Sequence, residues 1–231
     1  MQSLIGIGVV LFGYILGSVP FGLLIVKLKT GRDIREIESG RTGGTNAMRA
    51  AGFWAGLLTA ILDILKGAGA VWMAQWLAPE ANLVHLFAPV AAILGHNYSV
   101  FLISRDEDGK LRFHGGAGGA PALGGAVGFW GWSLPIVFGL GALVFFTLGI
   151  ASVTTMAVAL FAAIIFAIRA SLGLMPWTGV LYAVIAELLL IWALRPNIRK
   201  LLAGNERVIK YSLNGWLRAR KEARAEANTN K

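Results

Sequence analysis

Between Glu38 and Arg49 the chain reads ESGRTGGTNAMR, a loop rich in glycine and hydroxyl groups and carrying two arginines. Ser39, Thr45 and Asn46 offer hydrogen bonds, and Gly40, Gly43 and Gly44 let backbone amides approach an oxygen closely. Arg41 and Arg49 add fixed positive charge suited to phosphate. A second segment, HGGAGGAPALGGAVG at residues 114–128, places His114 ahead of Gly115, Gly116 and Gly118 at the opening of an apolar stretch. Bare amides at a helix N-terminus cradle an anion, and His114 stands where an acid, a base or a phosphate contact would be needed. Gly124 and Gly128 have the four-residue spacing that lets membrane helices touch, so close packing is an equal reading for the later glycines. A third segment, PNIRKLLAGNE at residues 196–206, brings Asn197, Arg199 and Glu206 to the end of the last apolar stretch. It reads either as a wall of the same site or as a basic flank that stops translocation.

Other polar residues stand in apolar surroundings. Asp63 and Lys66, three positions apart, share a helix face and form either an ion pair or part of the site. His96 is expected to make a structural hydrogen bond, and His85 lies at an interface. No histidine is followed five residues later by aspartate, as thioester-using acyltransferases require. No Walker-type phosphate loop and no cysteine or histidine cluster for zinc occurs, so neither a metal nor a nucleotide cofactor is expected.

The elements that must hold these segments are membrane helices. Of 231 residues, 56% are hydrophobic and 14% charged, and mean hydropathy is +0.67. Soluble domains carry roughly 25% charged residues, so an all-α polytopic bundle in one domain, 1–231, is the fold class. Stretches from about Leu4 to Leu28, Phe53 to Leu77 and Leu83 to Ile103 are long enough to cross. From Gly118 to Leu194 the sequence is almost continuously apolar, with breaks near Trp132–Pro135, Gly149–Ser152 and Arg169–Pro176. The piece from about Gly118 to Trp130 is short enough to be a half-membrane helix. The net charge of +9 sits in the loops beside the apolar stretches, which favours lipid headgroups over nucleic acid as partner. Basic residues cluster in 27–49, 105–112 and after 195, whereas the connection around Glu80 carries none. These three basic segments are therefore cytoplasmic, which gives about seven crossings, or five if the short piece is not a span, with the N-terminus outside and the C-terminus inside. Residues 203–231 form a basic cytoplasmic tail. Within it Val208, Ile209, Leu213, Trp216 and Leu217 alternate with basic residues as an interfacial amphipathic helix, and Glu222–Lys231 is expected to fray.

Taken together, the segments resemble the bacterial acyl-phosphate-dependent glycerol-3-phosphate acyltransferase family. The likeness begins at GSVPFGLLIVKL (17–28) and DIREIESGRTGGTNAMR (33–49). It continues at DILKG (63–67), LGHNYSVF (94–101) and PNIRKLLAGNE, covering nearly the whole chain. It implies transfer of a fatty acyl group from acyl phosphate to the primary hydroxyl of glycerol 3-phosphate, in the inner membrane of a bacterium, by a monomer without a cofactor. By the same resemblance Ser39, Thr45, Asn46 and Arg49 bind phosphate and orient the reactants, and Asn197 and Glu206 complete the polar site. The family's middle motif usually reads Lys-Gly-Gly-Lys-Gly, and here it is His114-Gly115-Gly116-Ala117-Gly118. Ten extra residues, SRDEDGKLRF, precede it, and Leu194 stands where the family has a histidine. Arg41, where the family has asparagine, and Lys110 and Arg112 in the extra residues are the candidate replacements for the lost charge. A non-catalytic lipid- or phosphate-binding relative and an organic-phosphate carrier remain open alternatives at this point.

Overall fold

The structure is a computed structural model and describes residues 2–229. Its first apolar segment is two helices, α1 (Gln2–Ser18) and α2 (Phe21–Thr30), because Pro20 has no N–H to continue the ladder. A 3-10 turn at Ile34–Glu36 and the short helix α3 (Gly44–Ala51) bracket the glycine loop. Then follow α4 (Phe53–Leu77) and α5 (Asn82–Asn97). After them come a short hairpin, β1 (Ile103–Arg105) and β2 (Leu111–Phe113), and α6 (Gly119–Phe129). The chain ends with α7 (Ser133–Leu148), α8 (Ala151–Ser171), α9 (Trp177–Leu202) and α10 (Leu213–Thr229).

Among the described residues, five segments are long and apolar enough to cross a membrane, the first being α1 and α2 together. The 16-residue α7 and 11-residue α6 bring the apolar segments to seven. At 1.5 Å per residue α6 covers only about 17 Å, roughly half the hydrocarbon thickness. The extended segment before it makes up the difference, so His114–Gly118 enters the bundle as backbone rather than helix. Large apolar side chains such as Leu11, Trp72, Phe138 and Leu188 point outward, as lipid contact requires. Inside, Ile93, Phe166, Tyr182 and Leu190 form the core between α5, α6, α8 and α9, with Tyr182 Oη donating to the Ala122 carbonyl at 2.8 Å.

Close approach of α4 and α6 explains the later glycines. A Cβ on Gly67 would collide with the Pro121 carbonyl oxygen, and one on Gly124 with that of Ile64. The packing reading therefore describes Gly124 and, against Val71, Gly128. The ten extra residues form the hairpin rather than an open loop: Ile103 pairs with Phe113 and Arg105 with Leu111. Asp106 Oδ1 accepts from Lys110 N at 2.8 Å and closes its turn. The tail also differs from expectation. Instead of fraying from Glu222, α10 continues to Thr229, because the run of Lys, Glu, Ala and Arg favours helix. The last two residues of the expected frayed end, Asn230 and Lys231, lie outside the described residues.

Candidate active site

Three helices begin at one cavity of about 410 Å³: α3 at Gly44, α6 at Gly119 and α8 at Ala151. Each of these N-termini lacks a capping side chain, so first-turn amides are left as donors with the positive end of the helix dipole behind them. Gly118 makes the α6 terminus possible. Its φ of 92° lies in the left-handed region, and its close neighbour is the Asn97 side chain. Around the amides stand Arg41, Arg49 and Lys200, all without a carboxylate partner among the described residues, while Arg207 is paired with Glu38. The cavity thus collects oriented N–H groups and surplus cations, which suits a phosphate.

The first loop is held by Asn46. Its Nδ2 donates to the carbonyls of Ile34, Ile37 and Arg41 at 3.2, 2.9 and 2.9 Å, and the residue is 2% exposed. The expected phosphate contact from this amide is accordingly corrected: its donor side is committed to the loop. Oδ1, buried without a protein partner, is an acceptor and suits a hydroxyl rather than an anion. Asp33 fixes the loop's other end, accepting from the Arg35 amide at 2.8 Å and from Arg35 Nη2 at 2.7 Å. That guanidinium holds the Asp33 carboxyl below its ordinary value.

Arg41 crosses from the loop to the last span, its Nη2 donating to the Ala193 carbonyl at 2.9 Å and to Asn197 Oδ1 at 3.0 Å. Burial lowers the pKa of this guanidinium, and the charge of Glu206 opposes the shift. Asn197 Nδ2 in turn donates to Glu206 Oε1 at 2.9 Å, and Ser152 Oγ donates to the same oxygen at 2.9 Å. The third sequence segment is therefore a wall of the cavity, tied to the first loop and to the start of α8. Leu194, at the position of the family's histidine, is 3% exposed and also lines it.

Of the other sequence candidates, Ser39, Thr45 and Gly118 line this cavity. His114, Gly115 and Gly116 instead line a neighbouring hollow of about 230 Å³, which Ser39 and Arg41 also border. His114 Nε2 lies 2.8 Å from Ser104 Oγ, and Gly116 packs flush against the His96 ring. Lys110 and Arg112 are a correction: neither lines the cavity or the hollow, because the hairpin turns them outward toward Asp108 at 3.8 Å and Asp106 at 3.1 Å.

Sequence reasoning missed Lys200 and Ser152. Lys200 lies one helical turn beyond Asn197, a spacing that could have revealed it. Ser152 had no signal beyond its position at a break. Asp63, left open by sequence between ion pair and site, and His96, expected to make a structural hydrogen bond, both line the cavity. Lys66 Nζ stands 2.7 Å from Asp63 Oδ1 and 2.8 Å from His96 Nδ1, and donates to the Val19 carbonyl at 3.2 Å.

Comparison with known proteins places this architecture. A family model described as glycerol-3-phosphate acyltransferase matches residues 7–204. Glycerol-3-phosphate acyltransferase 3 of Dehalococcoides mccartyi (strain CBDB1) is 39% identical over 213 residues, covering 86% of this chain and 93% of its own. The glycerol-3-phosphate acyltransferase of Limosilactobacillus reuteri (strain DSM 20016) is 32% identical, covering 94% and 97%. Similar too is the crystal structure of PlsY, an integral membrane glycerol 3-phosphate acyltransferase, in its glycerol 3-phosphate form. The TM-score is 0.77 at 31% identity, over 88% of this chain and 95% of that one. The lysophosphatidic acid form of PlsY gives a TM-score of 0.76 at 30% identity.

Proposed function

We propose how a chain that belongs to the glycerol-3-phosphate acyltransferase family carries out its reaction: the acyl donor is an acyl phosphate, and catalysis rests on holding phosphates rather than on an enzyme nucleophile. The protein is a membrane acyltransferase acting on glycerol 3-phosphate. The observation that carries the proposal is the meeting of three uncapped helix N-termini with Arg49 and Lys200 at one cavity. A site so rich in donors stabilises a phosphate leaving group directly.

In the proposed reaction the primary hydroxyl oxygen of glycerol 3-phosphate attacks the acyl carbonyl carbon. The bond from that carbon to the phosphate oxygen breaks, and inorganic phosphate departs. A phosphate oxygen takes the hydroxyl proton, so lysophosphatidic acid and phosphate account for every atom. Ser39, Thr45, Arg49 and the amides at Gly118 and Gly119 hold phosphate. The buried Asn46 Oδ1 accepts from a glycerol hydroxyl and orients it. Glu206 fixes Asn197 and Ser152, whose positions set the far wall. Positioning of two reactants in this way supplies much of the acceleration. The acyl chain runs outward between spans into lipid. One catalytic domain, working as a monomer in the inner membrane with the cavity on the cytoplasmic side, completes the reading. The carrier and the non-catalytic alternatives have no comparable observation behind them.

The test is acyl transfer by purified protein in lipid nanodiscs. Glycerol 3-phosphate is supplied with either an acyl phosphate or an acyl thioester, and lysophosphatidate and phosphate are measured. Turnover with acyl phosphate, lost by about 100-fold or more in Ser39→Ala and Arg49→Ala, is expected. Turnover with the thioester alone would overturn the donor.

A further inference from the structure

The middle segment of the site brings no cation. His114 is turned to Ser104, and Gly115 to Gly118 offer backbone and one methyl group. Ala117 nevertheless lines the main cavity. Arg41 lines both the cavity and the neighbouring hollow, so it stands in the wall between them. Its Nη2 is occupied by the Ala193 carbonyl and Asn197 Oδ1, whereas Nε and Nη1 have no protein partner among the described residues. Half-buried and anchored at one nitrogen, the fork keeps two nitrogens free to donate to a ligand, at less entropic cost than a free surface lysine.

We propose that Arg41 is a substrate-binding cation of this chain, holding a phosphate at the junction of the cavity and the hollow and supplying the positive charge that the middle segment lacks. The inference rests on the reading of the site as a phosphate-handling acyl-transfer centre. The ligand is a phosphate monoester or the phosphate released from the donor. Both present three oxygens that a guanidinium engages in pairs. The anchoring bonds have a second effect: Arg41 fixes the Asn197 amide so that its Nδ2 faces Glu206.

Binding of inorganic phosphate and of glycerol 3-phosphate to the full chain in detergent, followed by calorimetry beside turnover, tests the assignment. Arg41→Gln retains an amide that reaches toward Ala193 but removes the charge. With a melting temperature like that of the wild type, it should bind phosphate about ten- to hundredfold more weakly, the worth of one or two charge-assisted hydrogen bonds. Adding Ala117→Lys to Arg41→Gln should recover at least about tenfold of that affinity, because position 117 faces the same cavity. Phosphate affinity unchanged in Arg41→Gln, with or without loss of turnover, would reduce Arg41 to a structural tie and overturn the proposal. So would a folded double variant that regains nothing. Should Arg41→Gln fail to fold, Arg41→Lys decides: a raised KM for glycerol 3-phosphate supports the contact, and an unchanged KM refutes it. Wild-type protein that binds phosphate yet accepts no acyl phosphate would remove the proposed donor, while the affinity comparison would still judge Arg41.

Discussion

Glu206 shows how much of this site depends on shared acceptors. One oxygen of its carboxylate takes hydrogen bonds from Asn197 and from Ser152, residues on two different helices. Glu206→Gln keeps a carbonyl oxygen able to accept both, so turnover should stay within about fivefold. Glu206→Ala leaves two donors without a partner and should cost tenfold or more, about the 1–3 kcal/mol of an unmet polar group. Steady-state kinetics in nanodiscs would separate the two, and equal losses would mean that the negative charge itself matters. Asp63 poses the opposite case. It is 1% exposed and faces Lys66, so Asp63→Ala leaves a buried ammonium unpaired and should destabilise the bundle by about 3–5 kcal/mol, read as a fall in melting temperature. Residue types were legible at this scale, partners less so. Ser39 and Arg49 stood out as a hydroxyl and a cation in a glycine-rich loop, whereas Asn197 and Glu206 came to the site through the family resemblance, their segment reading equally as a basic flank. The inward reach of Arg41 and the outward turn of Lys110 and Arg112 depend on a hairpin and a helix crossing that no local pattern encodes.

At the scale of elements, site geometry is set by how closely helices approach. The opening of α6 lies at the cavity because Gly67 and Gly124 let α4 and α6 touch at backbone distance. Gly124→Leu carries no site chemistry, yet it must push α6 away from Ile64. A loss of about 1–3 kcal/mol in stability is expected, together with a fall in turnover larger than that of any substitution on the hairpin. Arg112→Gln on the hairpin should leave kinetics unchanged, since that side chain reaches only Asp106. Acid sensitivity belongs to the first loop. Asp33 is lowered by its bonds to Arg35, so its contribution is present above the ordinary carboxylate range and is lost as pH falls through its depressed folded value. Asp33→Asn should flatten the acid side of the stability profile, measured as melting temperature against pH. Helix boundaries were readable where glycine or proline punctuated the chain, as at Gly149 and Pro176, whereas the break at Pro20 was not, since residues 4–28 read as one stretch. The N-terminus of α8 gave no such warning of a role, because its donors are backbone amides and carry no sequence signature.

Across the whole molecule, parity of the crossings decides the topology. Seven apolar segments were readable from hydropathy and charge, and the structure supports that count by placing the starts of α6 and α8 and the end of α9 at one cavity. Residues 130 and 169 then belong to the opposite face, and Arg169 indeed lies over the Trp130 ring at 4.0 Å. The short α6 segment was readable as a half-membrane helix, but hydropathy did not show that extended backbone completes the crossing, its amide and carbonyl groups bonding to α5 and the first loop. Lipid would not tolerate such a backbone, and a protein-lined cavity does. The cytoplasmic orientation proposed for this cavity rests on the basic loops, and it can be measured. Because the chain has no cysteine, single cysteines placed at Glu80 and Glu222 report without background. With the N-terminus outside, a membrane-impermeant maleimide added to intact spheroplasts should label Glu80→Cys and spare Glu222→Cys until the membrane is opened. The reverse pattern would put the phosphate site outside the cell, away from the glycerol 3-phosphate and acyl phosphate of the cytoplasm. The proposed reaction would then lack its substrates, whatever the geometry of the cavity.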